Sequence, residues 1–147
     1  HIKEHGKPDK LVLSYHGMPE LFYQWGDPYY DFCKITTNLL KEALNLTDDC
    51  FIMTFQSRFG KAQWLQPYTD ETLENLAQTG NKHIAIISPA FSADCLETLE
   101  ELEHENREIF MEAGGEQYHY IKALNDRDDH IQAIVSILSP KLDAIVS

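Results

Sequence analysis

The sequence predicts an α/β domain: a four-stranded parallel sheet with helices on both faces, of flavodoxin-like or Rossmann-like type. Three observations predict it. Short apolar runs alternate with helical patterns four times along the chain. The runs are apolar throughout rather than alternating with polar residues, as in strands buried on both faces. The 147 residues are enough for one hydrophobic core, so residues 1–147 are taken as a single domain.

The first part of the chain predicts two strands joined by a helix. Residues 11–15 (L-V-L-S-Y) and 50–55 (C-F-I-M-T-F) are short apolar runs between polar segments, which is typical of buried strands. Between them, apolar residues recur at helical spacing over residues 29–44. This helix follows Gly26-Asp27-Pro28, with Asp27 as the expected cap and Pro28 as the first helical residue. The polar residues before the first strand are predicted to be a tail.

The rest of the chain continues the alternation of strand and helix. A helix that opens with T-D-E, like a capping box, is expected to end near Gly80, and the next one at Gly114-Gly115. Asp126 is the expected cap of the last helix. The predicted elements are helix 69–78, strand 83–88, helix 92–112, strand 118–121 and helix 126–138, with a further turn over residues 141–146.

Charge and composition exclude several classes of function. The chain contains 24 acidic residues against 12 Lys and Arg, a net charge of -12. This charge disfavours nucleic acid and anionic membranes as partners, since both are bound through clustered cations. No apolar run is long enough to span a membrane, and residues 1–10 do not resemble a signal peptide, so a cytoplasmic location is predicted. Three widely spaced cysteines predict reduced thiols rather than a disulfide framework.

The loops after the strands are the candidate functional region, because ligands of parallel sheets bind beyond the carboxyl ends of the strands. His16 ends the first strand, where an imidazole can accept a proton or bind a metal, or can be held by a backbone partner. The loop over residues 55–64 combines aromatic rings with Arg58 and Lys61. It is suited to a flat apolar ligand with carboxylates, or to a Trp64 that packs on the core.

An acidic face is predicted on the long helix. Glu97, Glu101, Glu105 and Glu108 recur at helical spacing, and Arg107 is the sole Lys or Arg between positions 92 and 112. Such carboxylates repel one another by a few tenths of a kcal/mol per pair, at about one pair per turn. They suit a hydrated divalent cation, although a helix N-terminus alone accounts for acids in its first turn. The other histidines are predicted to be structural or exposed: His1, His5, His83, His104, His119 and His130.

The motifs together resemble one family. They are S-Y-H-G-M-P at 14–19, G-D-P-Y at 26–29, F-Q-S-R-F-G with W-L-x-P-x-T over 55–69, P-A-F-S-A-D-C-L-E-T-L-E-E-L at 89–102, and L-N-D at 124–126. Their order and spacing resemble the C-terminal half of bacterial ferrochelatases. The resemblance implies one half of the class II chelatase fold. It implies insertion of ferrous iron into protoporphyrin IX, which forms protohaem in the last step of haem biosynthesis.

The resemblance also implies roles for individual residues. His16 and Glu97 take the catalytic roles across the porphyrin, and the implied metal contacts are His16, Glu97, Glu101 and Glu105. The implied porphyrin contacts are Tyr15, Met18, Phe55, Ser57, Arg58 and Trp64. The family often has tryptophan at the position of Phe55 and histidine at that of Cys95, so metal preference at Cys95 is left open.

Cofactors and partners follow from the same resemblance. Iron is a substrate, no prosthetic group is expected, and no iron–sulfur cluster is expected because no cysteine follows Cys95. The implied partner is the N-terminal domain of the same enzyme. Without it, the chain is expected to be inactive or weakly active and to self-associate through an uncovered apolar face. Peripheral contact with the inner membrane is compatible with the predicted cytoplasmic location.

Three alternatives stay open at this point. One is a small single-domain chelatase of the cobalt or sirohydrochlorin type, and another is a non-catalytic module that binds tetrapyrrole or metal. The third is a generic flavodoxin-like domain. Against the third, no G-x-G-x-x-G phosphate-binding sequence follows the first strand, which is followed by Gly17-Met18-Pro19.

Overall fold

Four strands form a single parallel sheet. The computed structural model describes residues 1–146, and the side chains of all of these except residues 48 and 143–146. The strands are β1 Lys10–His16, β2 Phe51–Gln56, β3 His83–Ile87 and β4 Gln117–Ile121. They lie in the order β2-β1-β3-β4, and all three neighbouring pairs are parallel. The predicted sheet is confirmed, with strand ends within two residues of those expected.

The helices agree with prediction in the middle of the chain and differ towards its ends. They are α1 Ile2–His5, α2 Glu20–Gln24, α3 Tyr29–Leu44, α4 Thr69–Gln78, a π-helix Glu97–Glu105, α5 Asn106–Glu112 and α6 Asp128–Val146. A short 3₁₀ turn, Asp48–Cys50, precedes β2. The bounds of α3 and α4 are those predicted. The sequence pattern missed α1 and α2 because four or five residues are too few to show helical periodicity.

The helix predicted over residues 92–112 begins only near residue 97, and its first half has π-helical rather than α-helical geometry. Residues 92–95 form a loop, because Asp94 is bound by the segment after β4 rather than capping the helix. Glu97–Glu105 is a π-helix with i→i+5 hydrogen bonds, and α geometry follows from Asn106. Asp126 is likewise not a helix cap. It lies in the turn before α6, which continues through Pro140.

Two predicted helix starts also differ in detail. Pro28 is the N-cap of α3 rather than its first residue, and Asp27 Oδ1 accepts a hydrogen bond from the backbone amide of Tyr29 at 2.9 Å. The T-D-E sequence at the start of α4 does not form a capping box, because the N-cap is Tyr68 and no side chain caps it. The Thr69 hydroxyl is buried against the sheet instead.

The core has one layer on each face of the sheet, as predicted. On one face, the strands pack against α3, and the buried residues include Leu11, Leu13, Tyr15, Cys33 and Phe51. On the other, they pack against α4, the π-helix and α5, with Val12, Leu73, Ile84, Leu102 and Phe110 buried. The apolar residues of α6 remain 38–54% exposed at Ile131, Ile134, Val135 and Leu138. Within residues 1–146, no helix combines the length and hydropathy that crossing a membrane requires.

Candidate functional site

His16 lies at the carboxyl end of β1, where it pairs in register with Gln56 of β2. Its Nδ1 lies 2.7 Å from the carbonyl oxygen of Gly17. Because a carbonyl can only accept, Nδ1 holds the proton, and Nε2 has the lone pair that can take up a proton or bind a metal. The Tyr29 hydroxyl donates to the backbone oxygen of His16 at 2.9 Å, which fixes the end of the strand. The half-buried imidazole is therefore oriented by the Gly17 carbonyl.

Glu97 opens the π-helix, and its exposed carboxylate lies within electrostatic reach of His16. A hydrogen bond from Cys95 lowers the pKa of Glu97 most, its own backbone amide contributes further, and the nearby His16 adds a smaller effect in the same direction. Glu97 is therefore ionised at neutral pH. The two predicted catalytic residues are 81 positions apart in the sequence and lie within electrostatic reach of each other in the fold.

Glu101 is held by the loop after β2. The backbone amide of Ser57 donates to Glu101 Oε1 at 2.6 Å, and the Ser57 hydroxyl donates to Oε2. Ser57 adopts a left-handed conformation with φ 61°, which is uncommon for a residue other than glycine and is typical of functional loops. From β2, Gln56 Nε2 donates to the backbone oxygen of Glu97 at 3.2 Å. These contacts fix the first turn of the π-helix against the rim of the sheet.

A cavity of about 520 Å³ opens between this loop, the start of α4 and the π-helix. Four carboxylates of the π-helix line it, from Glu97, Glu100, Glu101 and Glu105, and the paired Arg58 and Asp70 line its other side. The exposed Glu108 lies outside it. Glu108, which was predicted on the same face, therefore does not line the cavity. Because a π-helix has more residues per turn than an α-helix, steps of four and five residues return to the same side, which brings in Glu100.

Arg58 does not offer the carboxylate-binding group that the sequence predicted. Its guanidinium already pairs with Asp70 Oδ2 at 2.8 Å and with Glu71 Oε1 at 2.9 Å, both from α4. It also lies over the ring of Tyr68, 4.1 Å from the ring centre. Lys61 is exposed and makes no ion pair within residues 1–146, so it is the cation of this loop that can meet an acidic ligand.

The predicted aromatic contacts divide into buried and accessible rings. Tyr15 is 2% exposed and its hydroxyl lies 3.0 Å from that of Thr37, so it is a core residue, and the predicted porphyrin contact is not supported. Phe55 is equally buried, with one edge at the cavity. Trp64 is half-buried beside Gly17, and its Nε1 donates to the backbone oxygen of Phe59 at 3.0 Å. Met18 is half-buried next to the α3 core.

A buried polar network behind the site was not anticipated. Ser14 Oγ donates to Gln56 Oε1 at 2.9 Å and lies 2.8 Å from Thr69 Oγ1, which in turn donates to Thr54 at 2.9 Å. All four residues are at most 3% exposed. A signal was present in the sequence, because Ser14 and Thr54 are polar residues inside apolar strands, and the register pairs them directly. Buried polar side chains of this kind are retained where they are hydrogen-bonded to one another.

The loop before the π-helix is tied to the segment after β4 through Asp94. Its carboxylate accepts hydrogen bonds from Asn125 Nδ2 at 2.8 Å, the Tyr120 hydroxyl at 2.7 Å and the amide of Ala123 at 3.1 Å. Burial raises the pKa of Asp94, but these donors more than offset the effect and lower the pKa below its usual value. Asp94 therefore fixes the approach to Glu97 rather than contacting a ligand.

The predicted metal contacts line a route rather than a closed cage. Among the described residues, no group of three or more His, Cys, Asp and Glu side chains is already arranged to hold an ion. His16 lies within electrostatic reach of Glu97, Glu101 is bound to Ser57, and Glu105 lies further along the cavity. Carboxylate oxygens spaced in this way suit a hydrated, exchangeable divalent cation better than a permanently bound one.

Comparison with known sequences identifies a single family. The family model described as Ferrochelatase matches residues 1–142. The chain is 60% identical over 139 residues to ferrochelatase 2 of Shewanella oneidensis. This match covers 95% of this chain and 42% of that protein. The chain is 56% identical over 138 residues to the ferrochelatase of Hydrogenovibrio crunogenus, covering 94% of this chain and 36% of that protein. The chain thus spans less than half the length of these relatives.

A solved structure has the same fold. The crystal structure of a putative cobalamin (vitamin B12) biosynthesis CbiX protein from Marinobacter aquaeolei matches with a TM-score of 0.58 and 13% sequence identity. The match covers 95% of this chain and 99% of that chain. The single four-stranded unit seen here is thus also found as a whole chain elsewhere.

Proposed function

Because this chain belongs to the ferrochelatase family, we propose that it forms the C-terminal half of an enzyme that inserts ferrous iron into protoporphyrin IX. The observation that supports this most directly is an oriented imidazole at the same edge of the sheet as an acidic cavity. His16 pairs in register with Gln56, which lines the cavity. Glu97 lies within electrostatic reach of His16, and further carboxylates extend from Glu97 along the π-helix.

The reaction requires two protons to leave the pyrrole nitrogens as a dication enters the ring. His16 is suited to accept a proton, because its Nδ1 is occupied by the Gly17 carbonyl and its Nε2 is available towards the rim. Glu97 is ionised, so it can stabilise the incoming cation or take the second proton. Separate replacement of His16 and Glu97 distinguishes the two roles.

The acids of the π-helix form the proposed delivery path for iron. Glu100, Glu101 and Glu105 line the cavity next to Glu97. Their summed negative charge concentrates cations in the cavity, and oxygen ligands exchange water on a hydrated dication without trapping it. The hydrogen bonds from Ser57 hold the Glu101 carboxylate in one orientation along this path.

The proposed porphyrin surface lies on the exposed apolar side chains around the cavity. Leu96 is 80% exposed and Phe59 71% exposed, an unusual degree of exposure for residues of this size at a concave site. A flat macrocycle would bury both, with Trp64 beside Phe59 at a ring separation of 6.0 Å. Lys61 is the proposed partner of a propionate group.

The small single-domain chelatase remains as the second candidate, because a CbiX protein has this fold over nearly its whole chain. That likeness concerns fold alone at 13% identity, whereas identity to ferrochelatases reaches 60%. The two proposals differ in substrate. Cobalt insertion into sirohydrochlorin by the isolated chain, without activity towards protoporphyrin, would support the second.

A chimera tests the proposed function. The C-terminal half of the Shewanella oneidensis relative is replaced by this chain, and protohaem formation is followed anaerobically through the loss of porphyrin fluorescence. We expect an active chimera and at least a tenfold loss of kcat for His16→Ala and for Glu97→Gln. Glu108→Gln, a change of the same type on the adjoining α5 and outside the cavity, is expected to retain the rate. A folded but inactive chimera, or equal rates for Glu97→Gln and Glu108→Gln, would contradict the proposal.

The isolated chain provides a second measurement. We expect it to bind protoporphyrin and ferrous iron weakly and to form protohaem far more slowly than the chimera, because one wall of the cleft is supplied by the other half. A steady-state rate equal to that of the chimera would show that this chain is a complete chelatase. The non-catalytic module predicts instead that His16→Ala and Glu97→Gln change affinity and leave no rate to lose.

A further inference from the structure

The junction between the π-helix and α5 skips one backbone carbonyl. The amide of Asn106 donates to the carbonyl oxygen of Glu101, which is an i→i+5 bond, and the chain continues in α geometry from Asn106. Where i→i+5 spacing changes to i→i+4 spacing, one carbonyl between the two sets of bonds has no helical amide. Here that carbonyl belongs to Leu102, which is fully buried. Because a buried carbonyl without a partner is costly, a donor from outside the helix is needed.

Tyr118 of β4 supplies this donor. Its hydroxyl donates to the carbonyl oxygen of Leu102 at 2.5 Å, and the residue is 3% exposed. Burial raises the pKa of Tyr118 well above its usual value, so the phenol keeps the proton that it donates. The ring packs against Phe110 of α5, with the ring centres 6.0 Å apart. Strand β4 therefore contacts the helix at the carbonyl that the change of geometry leaves open.

Two further side chains bind the carbonyls on either side of this one. Asn106 Nδ2 donates to the carbonyl oxygen of Glu101 at 2.7 Å, while its buried Oδ1 has no hydrogen bond within residues 1–146. Arg107 donates from Nε to the carbonyl oxygen of Glu103 at 3.1 Å and from Nη1 to that of Tyr118 at 2.7 Å. Three consecutive carbonyls, those of residues 101–103, thus each accept a side-chain hydrogen bond.

The first turn of the π-helix is held separately, by the rim of β2. Ser57 binds the carboxylate of Glu101, and Gln56 donates to the backbone oxygen of Glu97. In α geometry, the Asn106 amide would move to the carbonyl of residue 102 and displace the tyrosine hydroxyl. The side chains before the junction would then turn about the helix axis relative to α5. The contact between Ser57 and Glu101 therefore depends on which geometry the segment adopts.

We propose that Tyr118 is a positioning residue for the acidic cavity, which together with Asn106 keeps the π-helix from relaxing to an α-helix. Tyr118 does not line the cavity, and it acts by occupying the Leu102 carbonyl that an α-helix would use. The π geometry in turn presents Glu100 to the cavity and holds Glu101 against the loop after β2. The consequence for iron delivery rests on the proposed function, whereas the effect on geometry does not.

The test compares Tyr118→Phe with Tyr15→Phe in the 147-residue chain. Both changes remove one buried hydroxyl from a strand, but Tyr15 lies in the core layer on the other face of the sheet. In spectra that detect couplings across hydrogen bonds, the Asn106 amide of the unmodified chain should couple to the carbonyl carbon of Glu101. We expect this coupling to move to Leu102 in Tyr118→Phe and to stay at Glu101 in Tyr15→Phe. A coupling that stays at Glu101 in both variants would overturn the proposal.

The amide of Ser57 gives a second readout, far from Tyr118 in the sequence. We expect its hydrogen exchange to become at least tenfold faster in Tyr118→Phe, because the Glu101 carboxylate turns away from it, and to change less than twofold in Tyr15→Phe. Equal exchange in the two variants would show that the hydroxyl serves stability alone and would overturn the proposal. If Tyr118→Phe fails to fold by circular dichroism, Asn106→Ala takes its place in both measurements, with the same expected results.

The active chimera separates this inference from the proposed function. There, Tyr118→Phe should raise the KM for ferrous iron at least fivefold, and Tyr15→Phe should leave it unchanged, since only the first alters the acidic path. An unchanged KM beside a moved coupling would contradict the iron path and not the positioning role. An inactive chimera would contradict the proposed function, and the coupling and exchange measurements on the chain would then decide the role of Tyr118 by themselves.

Discussion

Ser57 stabilises the carboxylate of Glu101 at the rim of the sheet. The left-handed conformation of Ser57 turns its amide and its hydroxyl towards the same carboxylate. Hydrogen bonds to a charged group are worth about 1.5–3 kcal/mol, which is enough to maintain a turn that costs about 1–3 kcal/mol of backbone strain. The carboxylate is thereby fixed where the proposed cation path begins.

Gly17 provides a residue-scale prediction. A Cβ at this position would lie 2.6 Å from the backbone oxygen of Gln56 and 3.2 Å from the ring of Trp64. Gly17→Ala must therefore push the loop away from β2, and we expect a loss of about 1–3 kcal/mol in unfolding free energy, measured by urea denaturation. Gly17→Ser, which adds one more atom, should cost at least as much. An unchanged midpoint for both variants would contradict this close packing.

The loop before the π-helix is the element in which pH dependence is expected. The pKa of Asp94 is lowered in the folded state, so its hydrogen bonds stabilise the fold above the unfolded pKa of about 3.9 and lose that contribution as pH falls through the lower folded value. Asp94→Asn removes the charge that Asn125, Tyr120 and Ala123 stabilise.

The prediction is that Asp94→Asn lowers the unfolding free energy by about 1 kcal/mol at pH 7, after allowance for partial solvent screening. The difference from the unmodified chain should shrink as the pH is lowered from 4 towards 2.5. Asp126→Asn in the neighbouring exposed turn is the matched control and should show no such trend. Urea unfolding at a series of pH values measures both, and a constant difference across the range would contradict the assigned role.

At the scale of the whole molecule, large apolar surfaces remain uncovered. On α3, Phe32, Ile35 and Leu39 are 52–60% exposed and recur at helical spacing. An apolar stripe of this kind on a charged protein marks an interaction surface. Such a stripe is suited to contact another apolar protein surface.

We therefore predict that the isolated chain self-associates at high concentration, as the sequence led us to expect. Sedimentation velocity should show a mean mass that rises with concentration. The double variant Phe32→Lys with Leu39→Lys should remain monomeric over the same range, since it places two charges in the stripe. The control is the double variant Glu74→Lys with Gln78→Lys, which changes the charge on the exposed side of α4, away from the stripe. It should not prevent association. Monomeric behaviour of the unmodified chain throughout would contradict the prediction.

Local patterns were sufficient for much of the fold. The bounds of α3 and α4 follow from helical spacing alone, and the strands follow from apolar runs, because both signals depend on residues that are neighbours in the chain. The expectation of His16 and Glu97 as the catalytic pair came from family-like motifs. The absence of an iron–sulfur cluster and of a prosthetic group stays a prediction.

The sequence by itself determined the order of strands and helices, the acidic character of the region after residue 96, and family membership through its motifs. Only the tertiary structure decided that Arg58 is already paired with α4, that Tyr15 is a core residue, and that Glu100 replaces Glu108 in the cavity. It also revealed that the ring of His119 in β4 contacts those of His5 in α1 and His83 in β3. The physical reason is the same throughout: secondary structure responds to neighbours in sequence, whereas ion pairs, burial and the wider turns of a π-helix depend on contacts between segments far apart in the chain.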